Sequence, residues 1–133
     1  MKNEKFNLMF MQLYNAYGKY ATIHVSDDEE AYCYIQSKII VLPRKTFLNP
    51  EAWEIFAFLH EIGHIMTNTN KMKRCTQEYL ATQWAISESK KMGFKVPKSF
   101  IKTYQNYIWK WRETSIKHRG KNVPTREELT LAI

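Results

Sequence analysis

The residues best placed to do chemistry are His60-Glu61-Ile62-Gly63-His64, two histidines four positions apart with an acid between them. Four residues make about one turn of a helix, so both imidazoles leave the same face and can share one tetrahedral ion. Glu61 sits one position round from His60, too close to be a third ligand yet able to reach a water on that ion. Its natural role is the general base that takes the water's proton as the nucleophile attacks a peptide carbonyl. Zn2+ is the expected ion, because it lowers the pKa of bound water from about 16 to about 7 and so makes hydroxide available at neutral pH.

A catalytic zinc usually takes three protein ligands plus water, so a further donor is expected downstream. Glu78 is the first choice, because it opens the next helix after a loop long enough to fold that helix back across the first. Cys75, one turn earlier, and His118, on a long helix able to return to the site, are the alternatives. Gly63 costs about 1 kcal/mol of helix propensity relative to Ala, a cost that a close approach of another backbone would explain.

The segment around the motif is helical by pattern. Asn49-Pro50-Glu51 offers a cap, a preorganised first turn and acidic charge at the positive end of the dipole. Apolar Phe56, Phe58, Leu59, Ile62 and Ile65 then carry the helix to about Met66. Residues 67–73 read as a polar loop. A second helix runs from near Thr76 to a basic last turn at Lys90 and Lys91 with Gly93 as its stop.

Before the motif, Phe6, Met9, Phe10, Leu13, Tyr14 and Tyr17 recur at helical spacing over residues 5–20. Residues 21–25, the pair Tyr32 and Tyr34 with Ile35, and residues 39–42 read as short strands separated by a polar turn at 26–30. Antiparallel pairing is expected; residues 37–42 read first as an ordinary core strand and second as a candidate edge for an extended peptide, and the assignment of Gln36 and Ser37 stays open. After the motif, Pro97 opens a helix whose face carries Phe100, Ile101, Tyr104, Tyr107, Ile108 and Trp111, closed by Gly120. A capping box at Thr125-Arg126-Glu127-Glu128 predicts a last short helix. The expected fold is α+β, a mainly helical zincin-like domain packed on a small two- or three-stranded sheet, with all 133 residues in one domain. The zinc site lies within residues 50–93, and residues 95–133 form a basic, aromatic helical extension.

Of the net charge of +7, residues 95–133 carry +6, with nine Lys/Arg against three Asp/Glu. Trp109, Lys110, Trp111 and Arg112 interleave rings with charge there, a composition compatible with nucleic acid or with an acidic protein groove. Helical spacing turns most of those rings towards the core and leaves Trp109 and the cations outside. No apolar run approaches the roughly 20 residues needed to cross a bilayer, and no signal peptide is legible, so a cytoplasmic protein is expected. Cys33 and Cys75 then read as buried small hydrophobes rather than a disulfide.

His60-Glu61-Ile62-Gly63-His64 followed by Glu78-Tyr79-Leu80-Ala81-Thr82 resembles the ImmA/IrrE family of metallopeptidases, whose pattern is HE[L/F/I]GH and then E-x-x-A-N at the start of the next helix. The resemblance covers roughly residues 20–90. It implies zinc bound by His60, His64 and Glu78, catalysis by Glu61, and helices packed on a small sheet. It also implies a setting in bacteria, prophages and mobile elements, with a transcriptional repressor as substrate class. Thr82 stands where the family has Asn, Trp84 where Phe is common, and Ile86-Ser87-Glu88 where Leu-Leu-Met-Pro often follows.

Two rival readings differ in class: a zinc-stabilised module that grips a regulator without cutting it, and a nucleic-acid binder using residues 95–133. Tyr32, Tyr79 and His118 are the candidates for stabilising charge on a reacting carbonyl. Neither the scissile bond nor the oligomeric state is written in the sequence.

Overall fold

The computed structural model describes residues 4–118 and 120–133. In chain order the elements are α1 (Glu4–Tyr17), β1 (Thr22–Ser26), β2 (Tyr32–Tyr34), β3 (Ile39–Pro43), α2 (Arg44–Leu48), α3 (Ala52–Thr67), α4 (Arg74–Lys91) and α5 (Lys98–Lys117). The fold is α+β and mainly helical, as the patterning predicts. Among the described residues, no helix is long and apolar enough to cross a membrane.

The strand order is β1-β3-β2, and β1 runs parallel to β3 while β2 runs antiparallel to it. The sheet is therefore mixed rather than antiparallel throughout, and residues 39–42 form its central strand, in keeping with the core-strand reading rather than the edge one. The reason lies in composition: Ile39-Ile40-Val41-Leu42 is apolar without alternation, as suits a strand covered on both faces. Ile40, Val41 and Leu42 are indeed buried. The shorter, aromatic β2 takes the outer place. Residues 35–38 form the turn between β2 and β3, which closes with Lys38 at φ 57°.

α3 is the spine of the molecule. It packs against α1, β2, β3 and α4, and Ile55, Phe56, Phe58, Leu59 and Ile62 are all at most 1% exposed. An element covered on most sides is apolar nearly all round, and solvent reaches α3 mainly near its two ends, at Trp53 and Met66. Polar His60, Glu61 and His64 are buried with it, and buried polar groups need partners. The start of α3 differs from expectation. Asn49 ends the short α2, its amide donating to the Lys45 carbonyl at 2.8 Å, while Glu51 precedes α3 and donates its amide to Glu54 Oε1 at 2.9 Å.

α4 begins at Arg74, two residues sooner than the pattern suggests, and stops as predicted. The Gly93 amide donates to the Lys90 carbonyl at 3.1 Å and that of Phe94 to the Ser89 carbonyl at 2.8 Å, with Gly93 at φ 72°. This is the Schellman arrangement, in which glycine accepts the left-handed conformation without cost. α5 ends at Lys117, with His118 as its cap.

At the carboxyl end the capping box forms but no helix follows. Glu128 donates its amide to Thr125 Oγ1, and Thr125 its amide to Glu128 Oε1, both at 3.1 Å, around a single turn. The tail's backbone is claimed by side-chain amides instead. Gln105 donates to the Leu129 carbonyl at 2.9 Å and accepts from the Leu131 amide at 2.7 Å, and Gln83 does the same for Ala132. Leu129 and Leu131 are thereby drawn into the core.

The contact between α3 and α4 is unusually close at one point. A Cβ on Gly63 would collide with the Ala81 carbonyl oxygen and lie 3.0 Å from that residue's C and Cα. The backbone approach that its helix cost suggested is present. Gly63→Ala is expected to lower stability by about 1–3 kcal/mol, despite the gain in helix propensity, because the obstacle is backbone and cannot rotate away. Urea unfolding of the variant beside wild type measures it; unchanged stability would show that the two helices slide apart freely.

Candidate metal centre

Each functional side chain enters the site from a different helical turn. His60 and His64 project from α3, one turn apart, with their rings edge to face at 4.6 Å between centroids. Glu78 projects from the second turn of α4, which the Gly63 contact holds against α3. His60 Nε2 lies 3.0 Å from Glu78 Oε1, and His64 Nε2 lies 3.1 Å from Glu78 Oε2. The three residues are 5% exposed or less.

The other ring nitrogens fix which lone pairs are presented. Thr82 Oγ1 donates to the Glu78 backbone carbonyl at 2.7 Å, so at 3.0 Å from His60 Nδ1 it accepts that ring's proton. Asn68 Nδ2 donates to Thr67 Oγ1 and to the Gln77 carbonyl, which turns Oδ1 towards His64 Nδ1 and makes that nitrogen the donor too. Both Nε2 atoms therefore point at the carboxylate. Partners of this kind orient metal-binding histidines and set their tautomer.

A pair of Nε2 lone pairs facing a carboxylate needs a cation or protons between them. Burial alone would lower the His64 pKa, but the hydrogen bond and charge of Glu78 more than offset it and raise it above the ordinary value. Burial would likewise raise Glu78, yet hydrogen bonds from His60 and His64 hold its carboxyl far below the usual carboxylate range. The three donor groups offer one atom each, all within 4.8 Å of one another, close enough to bind a metal ion. Donors about 2 Å from a tetrahedral ion lie roughly 3.3 Å apart, so the spacing here fits with small adjustment. The donor set, two imidazoles and a carboxylate, is one that zinc accepts.

Arg74 supports Glu78 from outside. Its Nε donates to Glu78 Oε2 at 2.9 Å, and its guanidinium lies over the Trp111 ring at 4.8 Å.

The cluster opens on a cleft of about 570 Å³ bordered by α3, β2, α4, α5 and the loop before β2. Glu61 is buried against this cleft and stands apart from the three donors. Cys33, on β2, lines it beside Glu61; burial pushes the thiol pKa up, and the Glu61 and Glu78 carboxylates push it further. Cys33 and Cys75 are both free.

Of the alternative ligands, Cys75 is fully buried one turn before Glu78 and outside the donor cluster. His118 is exposed at the far end of α5. Of the aromatic candidates, Tyr32 reaches the cleft, whereas Tyr79 packs against the hydrophobic core and does not line it.

Sequence reasoning missed Asn68, Thr82 and Arg74 as partners of the three clustered residues, and Tyr104. Tyr104 lies against His60 with 4.6 Å between ring centroids, and burial, then the nearby Glu61 and Glu78 charges, raise its pKa above the ordinary value. α5 is thus a wall of the site rather than an extension of it. Its cations are partly engaged: Arg112 donates to the Pro124 carbonyl at 2.7 Å, and Arg126 covers Trp109 at 4.3 Å. Trp109, expected outside, is half-buried.

The Thr82 contact is testable. Thr82→Val keeps the volume and removes the acceptor for His60 Nδ1, and should weaken metal binding by about 10- to 100-fold. Competition against a chelator of known affinity reads the change; equal affinity would mean that His60 is oriented by packing alone.

The fold and site define a mainly helical α+β protein with a buried His-His-Glu cluster able to bind a metal. No protein-family model, curated protein or solved structure matches the chain.

Proposed function

We propose that the protein is a zinc-dependent metallopeptidase of the ImmA/IrrE type, hydrolysing an intracellular protein such as a repressor or regulator of a phage or mobile element. The reading is supported above all by one arrangement: two oriented imidazoles and the Glu78 carboxylate converge, while a second buried acid, Glu61, borders the same cleft without belonging to the donor set. A purely structural metal site has no use for that acid.

His60, His64 and Glu78 would hold zinc, which supplies a water of pKa about 7 and polarises the carbonyl. Glu61 takes the proton of the attacking water and returns it to the leaving amine. Thr82 and Asn68 keep both rings in the required tautomer, and Arg74 steadies Glu78. β2, as the outer strand beside the cleft, offers backbone groups to which an extended substrate segment can add. Tyr32 and Tyr34 flank that edge and are exposed.

Metal analysis of purified protein tests the first half: about one zinc per chain in wild type and none in His60→Ala. Incubation with a candidate regulator tests the second. A zinc-dependent fragment supports the enzyme, whereas an intact partner in a stable complex assigns the protein to non-catalytic binding. Retardation of DNA that falls with salt and survives metal removal would instead support nucleic-acid binding through residues 95–133.

A further inference from the structure

Resting on the peptidase reading, we propose that Tyr104 is a catalytic residue, its hydroxyl donating a hydrogen bond to the scissile carbonyl oxygen as that oxygen takes up negative charge. Three rings of α3 wedge the phenol in place: Trp53 at 5.6 Å, Phe56 at 5.2 Å and His60 at 4.6 Å between centroids. The ring's position is set by packing, and a Phe would fill it equally well. What packing does not account for is the hydroxyl.

Among the described residues none hydrogen-bonds that hydroxyl, although Tyr104 lines the cleft beside His60 and Glu61. The residue is half-buried and its hydroxyl is not sealed from solvent, so it faces the open cleft without a protein acceptor. A substrate oxygen next to the metal ligands would supply the missing acceptor. A donor held rigid before the reaction is also the kind that stabilises developing charge most, since nothing must reorganise as the charge appears.

Arg74 and the other aromatic or imidazole candidates are committed, exposed or remote. Arg74 is paired with Glu78 and stacked on Trp111. Tyr32 and Tyr107 are 37% and 40% exposed, so water competes for them. Tyr79 does not line the cleft, and His118 lies exposed at the end of α5.

In the reaction, the water oxygen bonds to the carbonyl carbon, the π pair moves onto the carbonyl oxygen and one water proton passes to Glu61. Collapse then breaks the C–N bond, and Glu61 returns that proton to the departing nitrogen. Tyr104 keeps its own proton throughout and only donates to the oxygen.

The test compares zinc-loaded wild type with Tyr104→Phe. Zinc content is measured on both, and kinetics use the fastest-cut member of a random-sequence quenched-fluorescent peptide library. Affinity is measured for phosphoramidon, whose tetrahedral phosphoryl group has the shape of a hydrated amide. The expected result is kcat lower by roughly 100-fold, weaker phosphoramidon binding, and unchanged KM and zinc content. Equal kcat in the two proteins, or a loss matched by lost zinc or by raised KM alone, overturns the assignment and leaves the peptidase reading intact. Wild type that holds zinc but cuts no peptide and binds no phosphoramidon removes both.

Discussion

Glu61→Gln will leave the zinc content of the protein unchanged and lower its hydrolytic rate by about 100- to 10,000-fold. The substitution is nearly isosteric, so the packing around a side chain only 7% exposed is preserved. What changes is the ability to take a proton. An amide oxygen accepts a hydrogen bond but is not a base near neutral pH, so the attacking water keeps its proton until bulk solvent removes it. Because Glu61 is outside the donor cluster, the three ligands and their oriented nitrogens are untouched. The loss should fall on kcat with KM little altered, since the proton moves only in the transition state. Full hydrolysis by a zinc-loaded Glu61→Gln protein would show that the base lies elsewhere. Loss of zinc would mean that Glu61 is itself a ligand.

The clustering of the three donor groups was legible because helical geometry converts spacing into direction. His60 and His64 share a face by arithmetic, and Glu78 was the acid at the head of the next helix. Their supporting partners obey the same arithmetic and could have been read. Asn68 is four residues after His64 and Thr82 four after Glu78, each one turn along the face that carries the ligand. Against the family pattern Thr82 is only a departure, whereas in the fold its hydroxyl accepts from His60. Tyr104 was correctly placed on an apolar stripe, but periodicity reports where a ring goes and is blind to the oxygen at its end.

Sheet order was beyond local pattern. Chain neighbours β1 and β2 do not pair, because the most apolar strand, β3, takes the centre and both others must lie against it. The five-residue α2 is too short to show a period, and so its closing Asn49 read as the opening of α3. At the carboxyl end the capping box was real, yet Gln83 and Gln105 drew the tail's backbone into tertiary hydrogen bonds that no local signal announces.

Removing the metal should destabilise the chain, and by an amount that grows with pH. A ligand present at 1,000 times its Kd stabilises the native state by about 4 kcal/mol, so chelation should lower Tm by several degrees. The metal-free site is held by protons instead. Glu78, with its pKa depressed from 4.5, contributes stability that is present above that value and lost only as pH falls through the depressed one. His64, with its pKa raised from 6.5, contributes stability fully present below 6.5 and lost as pH rises through the raised value. The metal-free chain is therefore best served between these ordinary values, and weakens on the alkaline side as His64 surrenders its proton beside a buried carboxylate. Zinc runs the other way, since protons compete for the same lone pairs and metal binding tightens as they leave. The difference in Tm between metal-loaded and chelated protein should accordingly widen from about pH 6 to about pH 8. Glu78→Ala should abolish that difference by removing a ligand, and should also flatten the pH dependence of the metal-free chain, because His64 loses the charge that holds its proton. A difference independent of pH in wild type would mean that His64 and Glu78 do not form the site.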